Sequence, residues 1–183
     1  MRTIHKQLIA ATVGIALTAS VAVSGIHSTP TVSHLLSRVG PSDIYPNPVT
    51  QPGAINPDIT QSNIKSNICA PAGTWSTKSI RPPVSYTTPL KIKQIAEYGY
   101  SDTSTADYEE DHIISLELGG SPTDPKNLFP EPYRASIPDG GAKKKDSVEN
   151  FLHAQVCAGK ITLAEAQHEI SFDWYKVLKD NNL

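Results

Sequence analysis

A carboxylate and an imidazole stand side by side at Asp111 and His112. A lone amide follows at Asn127, and Asp146 and Glu149 lie in a charged stretch that opens with Lys143, Lys144 and Lys145. A neutral imidazole, with a pKa near ~6.5, can take a proton from water at neutral pH. A carboxylate is a hard oxygen ligand for a divalent cation. Residues of these types, brought together, can converge on one metal ion. The chain has no Gly-rich phosphate loop, Gly-x-Ser-x-Gly elbow or His-Glu-x-x-His pair.

Such a convergence needs a turn and a helix. Residues 108–118 read YEEDHIISLEL, with Ile and Leu interleaved among polar residues, and Gly119 and Gly120 follow. The pattern predicts a strand and a tight turn. Asn127, Leu128 and Phe129 predict a short second strand that Pro130 ends. In a regular strand Asp111 and His112 point to opposite faces, so one site can use both only where the strand bends or stops. Glu109 shares the Asp111 face and is an alternative ligand; Glu110 shares the His112 face.

A loop leads to a helix predicted over 142–158. Its apolar stripe is Val148, Phe151, Leu152, Val156 and Cys157, and Gly159 stops it. A second helix starts at Thr162, with Glu165 completing a capping box and Leu163, Ile170, Trp174, Val177 and Leu178 as its stripe. Upstream, Pro89 in a first turn and then Leu90, Ile92, Ile95 and Ala96 predict a helix ending near Gly99. The stripes are core faces, and the fold class is α+β.

The chain has 183 residues, 38% hydrophobic and 19% charged. That composition excludes collagen, coiled-coil and multi-span membrane architectures. Residues 1–26 carry Arg2 and Lys6, then an uncharged run from Leu8 to Ile26 closed by small residues. This is the plan of a secretory signal peptide, with a retained membrane anchor as its alternative. Either places the rest of the chain outside the cytoplasm, secreted or envelope-associated, with a membrane partner only if the segment is retained. Residues 27–66, with Pro30, Pro41, Pro46, Pro48, Pro52 and Pro57 among many polar residues, read as an extended linker. The folded unit is then 67–183. Over 64–183 there are 13 Lys and Arg against 16 Asp and Glu, so no global basic field points to nucleic acid. Cys69 and Cys157 bracket the unit and form a plausible disulfide pair in an exported protein.

The text DHIISLELGG, then NLFPEP, then GAKKKDSVENFLHAQVCAGKITLAEAQ resembles the HNH family of nucleases, the ββα-metal fold. The last part is similar to a bacterial and phage subgroup in which a "KD..E" helix runs into "VCAG" and a second helix ends in "DW", here Asp173-Trp174. The resemblance spans about 68–178 and implies a hairpin-plus-helix core with flanking helices. It implies metal-dependent hydrolysis of nucleic acid, DNA first and RNA second, of low sequence preference, with Mg2+ or Mn2+, or else Zn2+, as cofactor. His112 would be the general base, Asp111 the first metal ligand, and Asn127 the clamp that orients His112. The family's last metal-binding His or Asn has no counterpart in 142–145. Lys143 stands nearest that position, and a charged ammonium cannot ligate a cation. Asp146 and Glu149 are the substitutes. Lys143, Lys145 and Arg81 would contact substrate phosphates. The same departure motivates an alternative, a catalytically degenerate binding or envelope protein; a hydrolase of another phosphodiester, such as a cell-wall polymer, is a further one.

Overall fold

A computed structural model describes residues 44–134 and 141–183. The fold is α+β, with three helices and one two-stranded antiparallel sheet. The proposed signal or anchor segment lies outside the described residues, as do residues 27–43 of the linker.

Helix α1 spans Val84–Tyr98 and ends where Gly99 turns left-handed at φ 66. It begins more than a turn before Pro89, which therefore sits inside the helix. The pair Pro82-Pro83 sets this start, because Pro83 as N-cap holds extended backbone at ψ 155. Lys91 ties α1 to the sheet by donating to the carbonyls of Thr105 (2.7 Å) and Tyr108 (2.8 Å).

Strand β1, Tyr108–His112, pairs with β2, Leu128–Pro132, in the register Asp111 to Phe129 and Glu109 to Glu131. The predicted strand over 108–118 thus stops at His112. Past that point Ile113, Ile114, Leu116 and Leu118 are all buried, and Leu116–Leu118 forms one 3-10 turn. Alternation in ISLEL reflected a tight coil sunk in the core, with Glu117 turned to its polar edge, and not an extended strand. Strand β2 also outlasts Pro130. Ile113 N bonds Asn127 O and Tyr133 N bonds Asp107 O. With that phase, Pro130 and Pro132 fall at positions whose missing N–H is not needed by β1.

Helix α2, Ala142–Cys157, and helix α3, Leu163–Asn181, close the chain. Thr162 and Glu165 form the expected capping box. Val148, Leu152 and Val156 of α2 meet Leu163, Ala166, Ile170, Trp174 and Leu178 of α3 in the main core. The Cys69–Cys157 disulfide is formed and fastens the end of α2 to an early segment.

The linker boundary needs correction. Ile44, Tyr45, Ile59 and Ile64 are buried members of the main core. Ile44 O accepts from Trp174 Nε1 at 3.2 Å, and Gln61 Oε1 accepts from Leu163 N at 2.6 Å. The folded unit therefore includes residues 44–66. A few large apolar residues without period suffice when a ready-made helical surface receives them, so the Pro-rich composition misled. No helix among the described residues is long and apolar enough to cross a membrane.

Candidate functional site

The link between β1 and β2 is held from its centre by Asn127, which is fully buried. Its Oδ1 accepts from Ile114 N (2.9 Å) and Ala54 N (3.2 Å), and its Nδ2 donates to Ile114 O (3.0 Å) and Ser121 O (2.9 Å). One amide thus satisfies both backbone groups of Ile114 and pins the loop that leaves His112. The two glycines serve the same bend. Gly119 has φ 74, and a Cβ on Gly120 would overlap the Ile114 carbonyl oxygen.

His112 is 3% exposed. Its Nε2 lies 3.1 Å from the carbonyl of Pro122. A carbonyl only accepts, so Nε2 carries the proton and Nδ1 keeps the lone pair. Burial lowers the His112 pKa, against the partial opposition of Asp111, and favours the neutral ring.

On the opposite face of β1, the site centres on Lys145, 1% exposed. Its Nζ donates to Asp111 Oδ2 at 2.6 Å, Glu149 Oε1 at 2.6 Å and His112 O at 2.8 Å. Those three bonds use all the donors of an ammonium. Burial alone would push Lys145 down, but Asp111, Glu149 and Glu131 outweigh it and raise its pKa well above the usual value. Burial likewise pushes Asp111 up, yet Lys145 and the neighbouring Glu131 carboxyl hold it below the ordinary range. Glu131 is fully buried, and burial raises its pKa well above normal, so it keeps its proton. Glu149 is pushed up to about 8, chiefly by burial, despite its contact with Lys145. Asp111 is therefore the carboxylate that balances the buried charge.

Glu149 also lines a polar cavity of about 180 Å³ with Thr77, Arg81, Glu117 and Asp146. Three of the singled-out residues, Arg81, Asp146 and Glu149, meet there. Burial raises the pKa of Asp146 and of Glu117. Glu109 sits on β1 near this cluster, and burial and then Asp111 raise it too. Lys143 is exposed at the start of α2. Lys145 is a correction: it was expected at substrate phosphates, but it is sealed inside with every donor engaged. One helical turn before Glu149, it shares the inward face of α2.

The divalent cation that the resemblance implies does not fit this arrangement. A Mg2+ ligated by Asp111 and Glu149 would need oxygens at ~2.0–2.1 Å, in the volume that the Lys145 ammonium fills. A different group could hold a metal: ligand atoms of Cys69, His153 and Cys157 lie within 4.8 Å of one another. The disulfide occupies both thiolates, and His153 Nε2 lies 2.6 Å from the Ile68 carbonyl oxygen. Thiolates are the ligating form, so the oxidised group is not a metal site.

Glu131 was not singled out from the sequence. Its signal was the register: paired with Glu109, it lies on the Asp111 face of the hairpin. No protein-family model, curated protein or solved structure matches this chain.

Proposed function

We propose that the β1–β2 hairpin and the start of α2 form a phosphodiester-hydrolysing site of the HNH type, acting on nucleic acid, DNA first and RNA second, in a secreted or envelope-associated protein. The observation that carries the reading is the state of His112. Its proton lies on Nε2 toward Pro122 O at 3.1 Å, which leaves Nδ1 basic, and burial keeps the ring neutral. A positioned neutral imidazole is the group that takes a proton from an attacking water. Two supports fix it. Asn127 holds the loop after it, and Lys145 holds its backbone carbonyl at 2.8 Å. Arg81 lines the nearby cavity, and its guanidinium would supply the phosphate contact in this reading. The disulfide suits an oxidising compartment.

The 3% exposure of His112 favours a second reading, a non-hydrolytic binding or envelope domain on the same scaffold. Plasmid nicking near pH 7 separates the two, with and without a chelator, in the full chain and in His112→Ala. Cleavage lost in His112→Ala supports hydrolysis with this base. Equal cleavage by both proteins removes the assignment, and cleavage by neither favours the second reading. A panel with RNA and a cell-wall phosphodiester polymer identifies the substrate class.

A further inference from the structure

We infer that Lys145 supplies, as a permanent part of the chain, the positive charge that a divalent ion would bring to this hairpin–helix site, so that no metal binds between Asp111 and Glu149. In taking Asp111 as the cation's carboxylate, the inference rests on the HNH-type reading above.

The Nζ sits among three oxygens of different origin: a β1 side chain, a β1 carbonyl and a carboxylate one turn along α2. Oxygens converging from a strand and a helix are what a hard cation requires. Here the cation is tethered. Position also matters. Lys145 N bonds Gly141 O, so the residue lies in the first turn of α2, where the helix dipole disfavours a positive charge. What sets Lys145 apart from Lys143 in the same turn is its burial with all three donors engaged. Asp111 provides the countercharge, and protonated Glu131 supports Asp111 from the neighbouring strand. The buried set is then one ammonium with one carboxylate, and a second cation would have no balanced place.

The test titrates the full chain with MnCl2 by calorimetry and follows melting in chelator and in millimolar Mn2+. Wild type is expected to bind no ion at Asp111 and to melt at the same temperature in both. Lys145→Ala and Lys145→Ser open the oxygen cage. They are expected to bind Mn2+ at least about 100-fold more tightly than wild type, seen as a melting temperature that rises with added ion. Asp111→Asn in the Lys145→Ala background should abolish that binding. Wild-type binding that Asp111→Asn removes overturns the inference, as does a folded Lys145→Ala that binds nothing. If neither variant folds, the wild-type titration decides alone. The two readings also separate. A wild type that binds no metal and cleaves nothing upholds the tethered cation and removes hydrolysis. One that cleaves only with metal bound at Asp111 upholds hydrolysis and removes the tethered cation.

Discussion

Glu131 stands diagonally across the hairpin from Asp111, fully buried, and the proximity of the two carboxyls lowers the Asp111 pKa while it raises that of Glu131. Two ionised carboxylates so placed would repel, so one of the pair keeps its proton. The proton belongs to Glu131, which burial drives far above the ordinary glutamate range.

The contact makes stability depend on pH. In the unfolded chain Glu131 and Glu149 ionise near the usual 4.5, whereas in the fold Glu149 rises to about 8 and Glu131 is raised as well. The folded state then binds more protons than the unfolded one between those values, so stability falls as pH increases. The contribution is complete below pH 4.5 and is lost as pH rises through about 8. Glu131→Gln sets a neutral amide near Asp111 without a titrating proton. It should fold, and its stability should decline less between pH 5 and pH 9. Urea midpoints of both proteins across this range check it; parallel declines would show that Glu131 ionises normally.

Asn127 has the largest share of the loop's polar bonds. Asn127→Ala strands Ile114 N, Ile114 O and Ser121 O in the interior, at about 1–3 kcal/mol for each unpaired group before relaxation. Asn127→Asp keeps the acceptor but sets a carboxylate against two carbonyls. Both variants should lose on the order of 3 kcal/mol or more in urea unfolding. A loss under about 1 kcal/mol in either would mean that the amide does not organise the loop.

The hairpin, the Gly-Gly bend, the helix pair and the disulfide were legible because each has a local signal. Thr162 and Glu165 lie three apart, and Gly119 precedes a residue that tolerates no Cβ. What stayed hidden depends on distant partners. Glu131 looks like a surface residue between two prolines until the register sets it beside Asp111. Lys145 belongs to a run of three lysines in sequence, and only the helical face separates it from exposed Lys143. Ile44 and Tyr45 look like isolated apolar residues in a linker, yet their partner, Trp174, lies at the far end of the chain.

The disulfide closes a separation of 88 residues. Constraining the unfolded chain over that length is worth at most about 4–5 kcal/mol in the loop-entropy account. Opening it with a dithiol, or replacing Cys69 and Cys157 together by Ser, should lower the melting temperature by up to roughly 8–20 °C, at about 2–4 °C per kcal/mol for a chain of this size. Mass analysis without reductant should find no free thiol. Two free thiols in protein from an oxidising compartment would contradict the bridge.

Gly120 and Gly159 offer a matched pair of glycine substitutions with opposite expectations. Gly159 is left-handed at φ 69, and an added Cβ there has nothing within 4 Å. Gly159→Ala should therefore cost only the local backbone penalty, about 1–2 kcal/mol. Gly120 is not left-handed, but its Cβ would collide with the carbonyl of Ile114 and press on Asn127 Nδ2 at 2.8 Å. A backbone oxygen cannot swing aside as a side chain can, so relief must come from the clamp itself. Gly120→Ala should cost on the order of 4 kcal/mol and weaken the Asn127 bonds that shape the loop beyond His112. Urea unfolding of the two variants measures both effects. Equal losses at the two positions would show that the loop can open around Gly120 and that Asn127 does not hold it rigidly.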